Sequence, residues 1–300
     1  MPCRVIINAD DFGLNAEENA VIVQAFRRGL ISSATLMANM PGFAEACELI
    51  HREGLQGRVG LHVNLSYGRP LSADLAAEPL FCNAAGELDP RLPRHRLWLP
   101  RRVRAAVAEE LQAQWQRCLN HGVRPSHLDS HQHMHNIWPI GEELARFAAR
   151  QGVPIRLARN LGGNIGPGKR LFKWLLNRRL RQLAGASADW VCTPADLRDQ
   201  PPPARGCLEV IAHPSRLDAG FGDAYLAPGE SLDALLTRRL AGVPRVSYAK
   251  LGNAPRSARE SLKALVLLLP GVPEATLMLV GELADLSALL LGWPALSLYA

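Results

Sequence analysis

No motif in this 300-residue chain announces a familiar nucleophile or nucleotide site. Gly-x-Ser-x-Gly is missing, which excludes the nucleophile elbow of the α/β-hydrolase type. The complete phosphate loop Gly-x-x-x-x-Gly-Lys-Ser/Thr and the dinucleotide pattern Gly-x-Gly-x-x-Gly are missing too. The six cysteines (Cys3, Cys47, Cys82, Cys118, Cys192, Cys207) include no Cys-x-x-Cys pair, so neither a thiolate zinc site nor a thioredoxin-like motif is expected. The N-terminus enters a strand-like run with no charged region followed by an apolar one. With the scattered thiols, this points to a reducing, cytoplasmic setting. The apolar stretch 262–298 is cut by Pro270, Pro273, Glu274, Glu282 and Asp285 before it reaches the roughly 20 residues of a membrane span. It reads as buried helices. No internal repeat is visible, and Pro201-Pro202-Pro203 is the one low-complexity run.

What is present is an ordinary globular composition, 48% hydrophobic and 21% charged, at a size that one α/β barrel can reach. The net charge of +6 suits an acidic partner and is concentrated in two clusters. Residues 91–104 interleave arginines with prolines, and residues 169–181 read as a basic amphipathic helix. Such a helix could make peripheral contact with a membrane surface. A surface helix with its apolar side on the core and its charges in water explains the same pattern and is preferred. Nucleic acid is not an expected partner, and a homo-oligomer is left open.

Short β-branched runs alternate with helical periods. Strands are expected at 4–8, 32–40, 59–65, 127–131, 154–157, 189–192 and 207–212, with a last one at 296–299. Helices are expected from Asn15, which can cap with Glu18 three residues on, and at 43–52, 101–119 and 140–150. A long loop spans 66–100. The alternation argues for parallel βαβ units, hence an α/β chain forming one domain over 1–300: an irregular (β/α) barrel of seven or eight strands.

Four of the nine histidines fall in one run, His127-Leu128-Asp129-Ser130-His131-Gln132-His133-Met134-His135. If the run is extended, His127, Asp129 and His131 share one face. Imidazole and carboxylate are common ligands of divalent metals. Asp10 and Asp11 follow the first strand, His62 lies in the third, and His213 ends the strand at 207–212. Barrel active sites gather at the carboxyl ends of the strands, so four strands would deliver titratable groups to one rim. Each piece has a plainer explanation: a turn and helix cap for Asp10-Asp11, a core histidine for His62, a loop residue for His213. Together they suit hydrolysis of an amide or ester. One carboxylate can bind a metal while its neighbour acts as general base, and a histidine opposite can protonate the leaving group.

Asn8-Ala9-Asp10-Asp11-Phe12-Gly13-Leu14, Gly60-Leu61-His62, Gly68-Arg69-Pro70-Leu71 and the run from His127 to His133 resemble the YdjC-like carbohydrate deacetylases. That family includes chitooligosaccharide and hopanoid-associated deacetylases. The resemblance implies an irregular (β/α) barrel and metal-dependent removal of an N-acetyl group from a sugar. It implies Asp11, His62 and His131 as metal ligands and Asp10 as general base, with His213 as general acid. His127 and Asp129 would stand behind the ligands and orient them. Magnesium is the ion the resemblance favours, though two histidines and one aspartate also suit zinc or manganese. The family pattern weakens after Ser215, so residues 217–280 are expected to be an inserted or diverged helical segment. Two rival readings remain. One is a deacetylase of a lipid-linked amino sugar, of hopanoid or polyprenyl type, at a membrane. The other is a barrel that binds sugar or metal without turnover.

Overall fold

The computed structural model describes residues 4–251. The expected strand at 296–299, and the part of the 217–280 segment beyond 251, lie outside the described residues. Six parallel strands make one sheet in the order β4-β3-β2-β1-β6-β5: β1 Arg4–Phe12, β2 Ser33–Leu36, β3 Val59–Val63, β4 Leu128–Ser130, β5 Trp190–Cys192 and β6 Cys207–Ala212. β1 is central because both its faces are apolar and covered. Val5, Ile6, Ile7 and Ala9 are fully buried, as expected for a parallel strand between layers.

The helices are α1 Ala16–Arg27, α2 Phe43–Arg52, α3 Ala73–Ala76, α4 Arg101–Asn120, α5 Trp138–Gln151, α6 Pro167–Ala184, α7 Pro194–Asp199 and α8 Leu232–Leu240. Asn15 caps α1 as the sequence suggests, its side chain accepting the Glu18 N–H at 2.9 Å. After β6 the chain makes an antiparallel hairpin, β7 Pro214–Arg216 and β8 Phe221–Asp223. The basic helix forms as α6. Its leading Gly163-x-x-x-x-Gly168-Lys169 has the phosphate-loop spacing as far as the lysine, but Arg170 replaces the hydroxyl residue. The Asp196 carboxylate also packs against Gly162, an unfavourable neighbour for an anion.

Two expectations need correction. Six strands form the sheet among the described residues, not seven or eight. The expected strand at 154–157 makes one isolated parallel bridge, Leu128 with Ile155: Leu128 N–H donates to Pro154 and Arg156 N–H to Leu128, while Ile155 N–H donates to Ala186 on the other side. The histidine run is not extended throughout. β4 stops at Ser130 and residues His131–Asn136 wind into a 3₁₀ turn, with Gln132 and His133 in the left-handed region at φ 49° and 52°. The Ser130 hydroxyl closes the turn by accepting the His135 N–H at 2.9 Å.

Candidate active site

Register brings the site residues to the carboxyl ends of the strands. His62 on β3 pairs with Asp129 on β4, and Ala9 on β1 pairs with Ala212 on β6. Asp10 and Asp11 therefore lie beside His213. Successive residues of a regular strand point to opposite faces, so adjacent aspartates should part company. Here β1 is irregular between Ala9 and Phe12, and Asp11 sits at φ 68°. A bulge of this kind re-aims a side chain, and Asp tolerates the left-handed region better than most residues. The result is that both carboxylates approach one imidazole: Asp11 Oδ1 at 3.2 Å and Asp10 Oδ2 at 3.9 Å from His62 Nε2.

His131 Nδ1 lies 2.9 Å from the same Asp11 Oδ1, and His213 Nε2 lies 3.7 Å from Asp11 Oδ2 and 4.0 Å from Asp10 Oδ2. Asp11, His62 and His131 offer ligand atoms all within 4.8 Å of one another. Ligands about 2.1 Å from one ion stand roughly 3.0–3.4 Å apart, close to the spacing that Asp11 Oδ1 keeps from both nitrogens. The donor set therefore fits a divalent ion. Asp10, His62 and Asp129 form a second group meeting the same distance limit, but it is fully buried.

That second group is already held by a residue the sequence reading missed. Arg156 is fully buried, from the expected strand at 154–157. Its two terminal amino groups lie 2.7 Å from the two oxygens of Asp10; it also reaches Asp129 at 2.6 Å and Glu209 at 2.7 Å. The Tyr248 hydroxyl donates to the other Glu209 oxygen. A lone arginine in a short apolar run was the available signal, since a buried charge needs partners. Asn8, just ahead of the aspartates, donates to Asp10 Oδ1 at 3.0 Å, and Thr35 donates to Asp129 at 3.0 Å.

Three carboxylates face one guanidinium, and the titrations follow. Burial opposes ionisation of Asp10, but Arg156 first and then His62 hold its carboxyl well below the usual range. Burial likewise opposes ionisation of Asp11, and the hydrogen bonds from His131 and His62 outweigh it. Burial alone would lower His62; Asp129 and Asp10 overcome it and raise it well above its ordinary value. A positive charge at His62, proton or metal, is thus favoured by its surroundings.

Asp129 lies behind His62, its Oδ1 2.7 Å from Nδ1, which fixes the ring so that Nε2 faces Asp11. His127 does not stand behind a ligand. Its Nε2 lies 3.2 Å from Asn8 Oδ1 and its ring stacks on Tyr248 at 3.9 Å, so it supports Asp10 through Asn8. Gly60 makes room for it, since a Cβ there would lie 2.4 Å from His127 Nδ1. His135 is buried on Ser130 Oγ, and burial pushes it well below its ordinary value. His133 is pushed down to about 3 by burial first and then by Arg156; its Nε2 is 3.4 Å from the Tyr225 hydroxyl. Tyr225, just after the hairpin, sets its ring edge on His213 at 5.1 Å.

The YdjC-like protein family model matches residues 4–238. The chain belongs to the YdjC-like family. A carbohydrate deacetylase of Halalkalibacterium halodurans is 32% identical over 221 residues, 72% of this chain and 86% of that protein. A carbohydrate deacetylase of Geobacillus stearothermophilus is 41% identical over 162 residues, 53% of this chain and 62% of its own length. A chitooligosaccharide deacetylase of Serratia marcescens is 39% identical over 166 residues, 52% of this chain and 59% of that one. The chain thus spans about three fifths of the length of the last two relatives. Among solved structures, an Enterococcus faecalis V583 protein named for cellobiose-phosphate cleavage shares the fold, with TM-score 0.55 and 18% identity over 88% of this chain and 95% of that one. Within the YdjC-like family, the two aspartates near the end of β1 and the histidines of β3 and the β4 turn are the residues this chain brings together.

Proposed function

We propose that this YdjC-like chain is a metal-dependent hydrolase that removes the N-acetyl group of an amino sugar, with the six-stranded sheet as the wall of an irregular (β/α) barrel. The observation that supports this most is convergence on Asp11. His62, His131 and His213, from three other strand ends, approach its carboxylate at 3.2, 2.9 and 3.7 Å. The relatives named as carbohydrate and chitooligosaccharide deacetylases support the substrate class.

Asp11, His62 and His131 would hold the ion. Arg156 already fills the oxygens of the alternative group, which argues against it. One carboxylate and two imidazoles suit zinc or manganese, and the family resemblance favours magnesium. A divalent ion there polarises a carbonyl and lowers the pKa of water toward about 7. The proton acceptor is Asp10, kept ionised by Arg156. Arg156 keeps Asp10 ionised and fixed in place, so that its carboxylate would be free to accept the proton of an attacking water. His213, on the other side of Asp11, donates to the departing amine. The test is a panel of N-acetylated sugars, from the chitin disaccharide to glycolipids, assayed for acetate with and without a chelator. Acetate release that the chelator stops is expected; none from any sugar overturns the reading.

A second reading, the lipid-linked sugar, is favoured by the surface near the site. Leu171 and Leu175 on α6 are exposed among its cations, and Leu97 and Trp98 are exposed in the arginine-rich loop. Arg94 of that loop donates to the carbonyls of Gln132 and His133, and Phe172 of α6 packs on Trp138 just beyond the turn. Both patches therefore adjoin the histidine turn. No helix among the described residues is long and apolar enough to cross a membrane. Flotation with anionic vesicles discriminates: binding lost in Leu171→Asp/Leu175→Asp supports this reading, and no binding by the unaltered chain removes it.

A further inference from the structure

Beside the candidate metal ligands stands an aromatic ring that the proton chemistry does not use. Tyr67 is 53% exposed, and its ring centroid lies 6.4 Å from that of His131. A single exposed apolar residue is ordinary. What sets this one apart is the backbone that carries it. Asn64 Oδ1 accepts the N–H groups of Ser66 and Tyr67 at 3.1 and 3.0 Å. The side-chain amides of Asn64 and Asn39 donate to the Tyr67 carbonyl at 2.8 and 3.3 Å, and Asn39 also reaches the Arg69 carbonyl at 2.8 Å. Leu88 N–H donates to the Gly68 carbonyl at 2.7 Å. Gly68 itself sits at φ +72°, where an added Cβ would press on Met40 Sδ at 3.2 Å. The Gly68-Arg69-Pro70-Leu71 motif thus belongs to a turn whose backbone is pinned while the Tyr67 ring is left in solvent.

We propose that Tyr67 is the stacking platform for the pyranose ring that carries the acetamido group. The inference rests on the deacetylase reading and narrows it: the substrate is a cyclic amino sugar presenting an apolar C–H face, rather than an open-chain or peptide amide. Aromatic faces are flat, weakly negative surfaces that bury large apolar area. A sugar ring laid on Tyr67 stands alongside His131, whose Nδ1 faces Asp11 at 2.9 Å. Because the turn is already ordered, little further backbone ordering is needed on binding, which favours affinity. The phenol hydroxyl has no part in this, so ring shape alone carries the effect.

The test uses the full metal-loaded chain with the N-acetylated chitin disaccharide, measuring acetate release, and calorimetric binding of the fully deacetylated disaccharide. Tyr67→Ala is expected to raise KM about tenfold with kcat within about twofold, and to weaken disaccharide binding about tenfold. Tyr67→Phe and Tyr67→Trp are expected to match the unaltered chain within about twofold. Unchanged KM and binding in Tyr67→Ala, or an equal loss in Tyr67→Phe, overturns the platform while leaving the deacetylase reading standing. Tyr67-dependent disaccharide binding without any acetate release overturns the deacetylase reading and keeps the platform. Neither binding nor turnover by the unaltered chain overturns both for this sugar.

Discussion

Arg156 grips Asp10 from 146 residues away, with one guanidinium amino group 2.7 Å from each carboxylate oxygen. Both side chains are buried, and the same guanidinium holds Asp129 and Glu209. Removing one partner of a buried ion cluster leaves uncompensated charge, which costs about 3–5 kcal/mol. Arg156→Ala is expected to lower the urea midpoint accordingly. Arg156→Lys keeps the charge without the planar fork, so it should retain more stability yet lose at least about tenfold in acetate release. Equal activity in Arg156→Lys would show that the fork does not position Asp10.

Asp10→Asn separates proton transfer from metal binding. The amide keeps its contact with Arg156 in part but cannot accept a proton. Turnover is expected to fall by about 10²–10⁴-fold while metal content per chain is unchanged. An active variant would move the base role to another residue.

The ligand assignment is checked by metal analysis after dialysis. His62→Ala and His131→Ala are each expected to abolish stoichiometric metal binding. Asp129→Asn should weaken affinity about 10–100-fold, because Asp129 fixes the His62 ring without reaching the ion. Full metal content in His131→Ala would contradict the set.

Stability should fall on mild acidification. Burial pushes His127 and His135 well below the ordinary value of 6.5, so the folded chain keeps them neutral where the unfolded chain protonates them. The unfolded state then binds more protons, and stability rises with pH in that window. Their contribution is fully present above about pH 6.5 and is lost as pH drops below it, by about 1.4 kcal/mol per pH unit for each residue. His62 runs the other way. Its raised value makes its contribution complete below 6.5 and lost as pH climbs through the folded value. Urea midpoints in chelator at pH 7, 6 and 5 are expected to decline; because the His62 contribution no longer changes below pH 6.5, a rise toward pH 5 would show that His127 and His135 are not held neutral by burial.

The buried histidines also show where reading the chain stops short. Density of histidine in residues 127–135 is visible in the sequence, but not the turn at His131 that sends His133 and His135 inward. That turn depends on Ser130 Oγ accepting the His135 N–H, one hydrogen bond among several that the composition allows. Arg156 is legible only as an anomaly, a charge in a short apolar run. Its partners on β1, β4 and β6 are remote in sequence.

Local physics was enough for much of the rest. Apolar periodicity marks β1, α2 and α4, and Asn15 with Glu18 marks the start of α1, because these depend on neighbours three or four residues away. The residue types of the site, two adjacent aspartates and histidines after strands, carry the hydrolytic chemistry and the YdjC-like resemblance in one dimension. The meeting of those groups belongs to the tertiary structure. Asp10 and Asp11 should face opposite ways on a regular strand, and only the irregularity in β1, with Asp11 at φ 68°, turns both toward His62. Strand alternation is a local rule; here it is broken where His62, His131, His213 and Arg156, all remote in sequence, meet the two carboxylates, and no local stretch of sequence contains them.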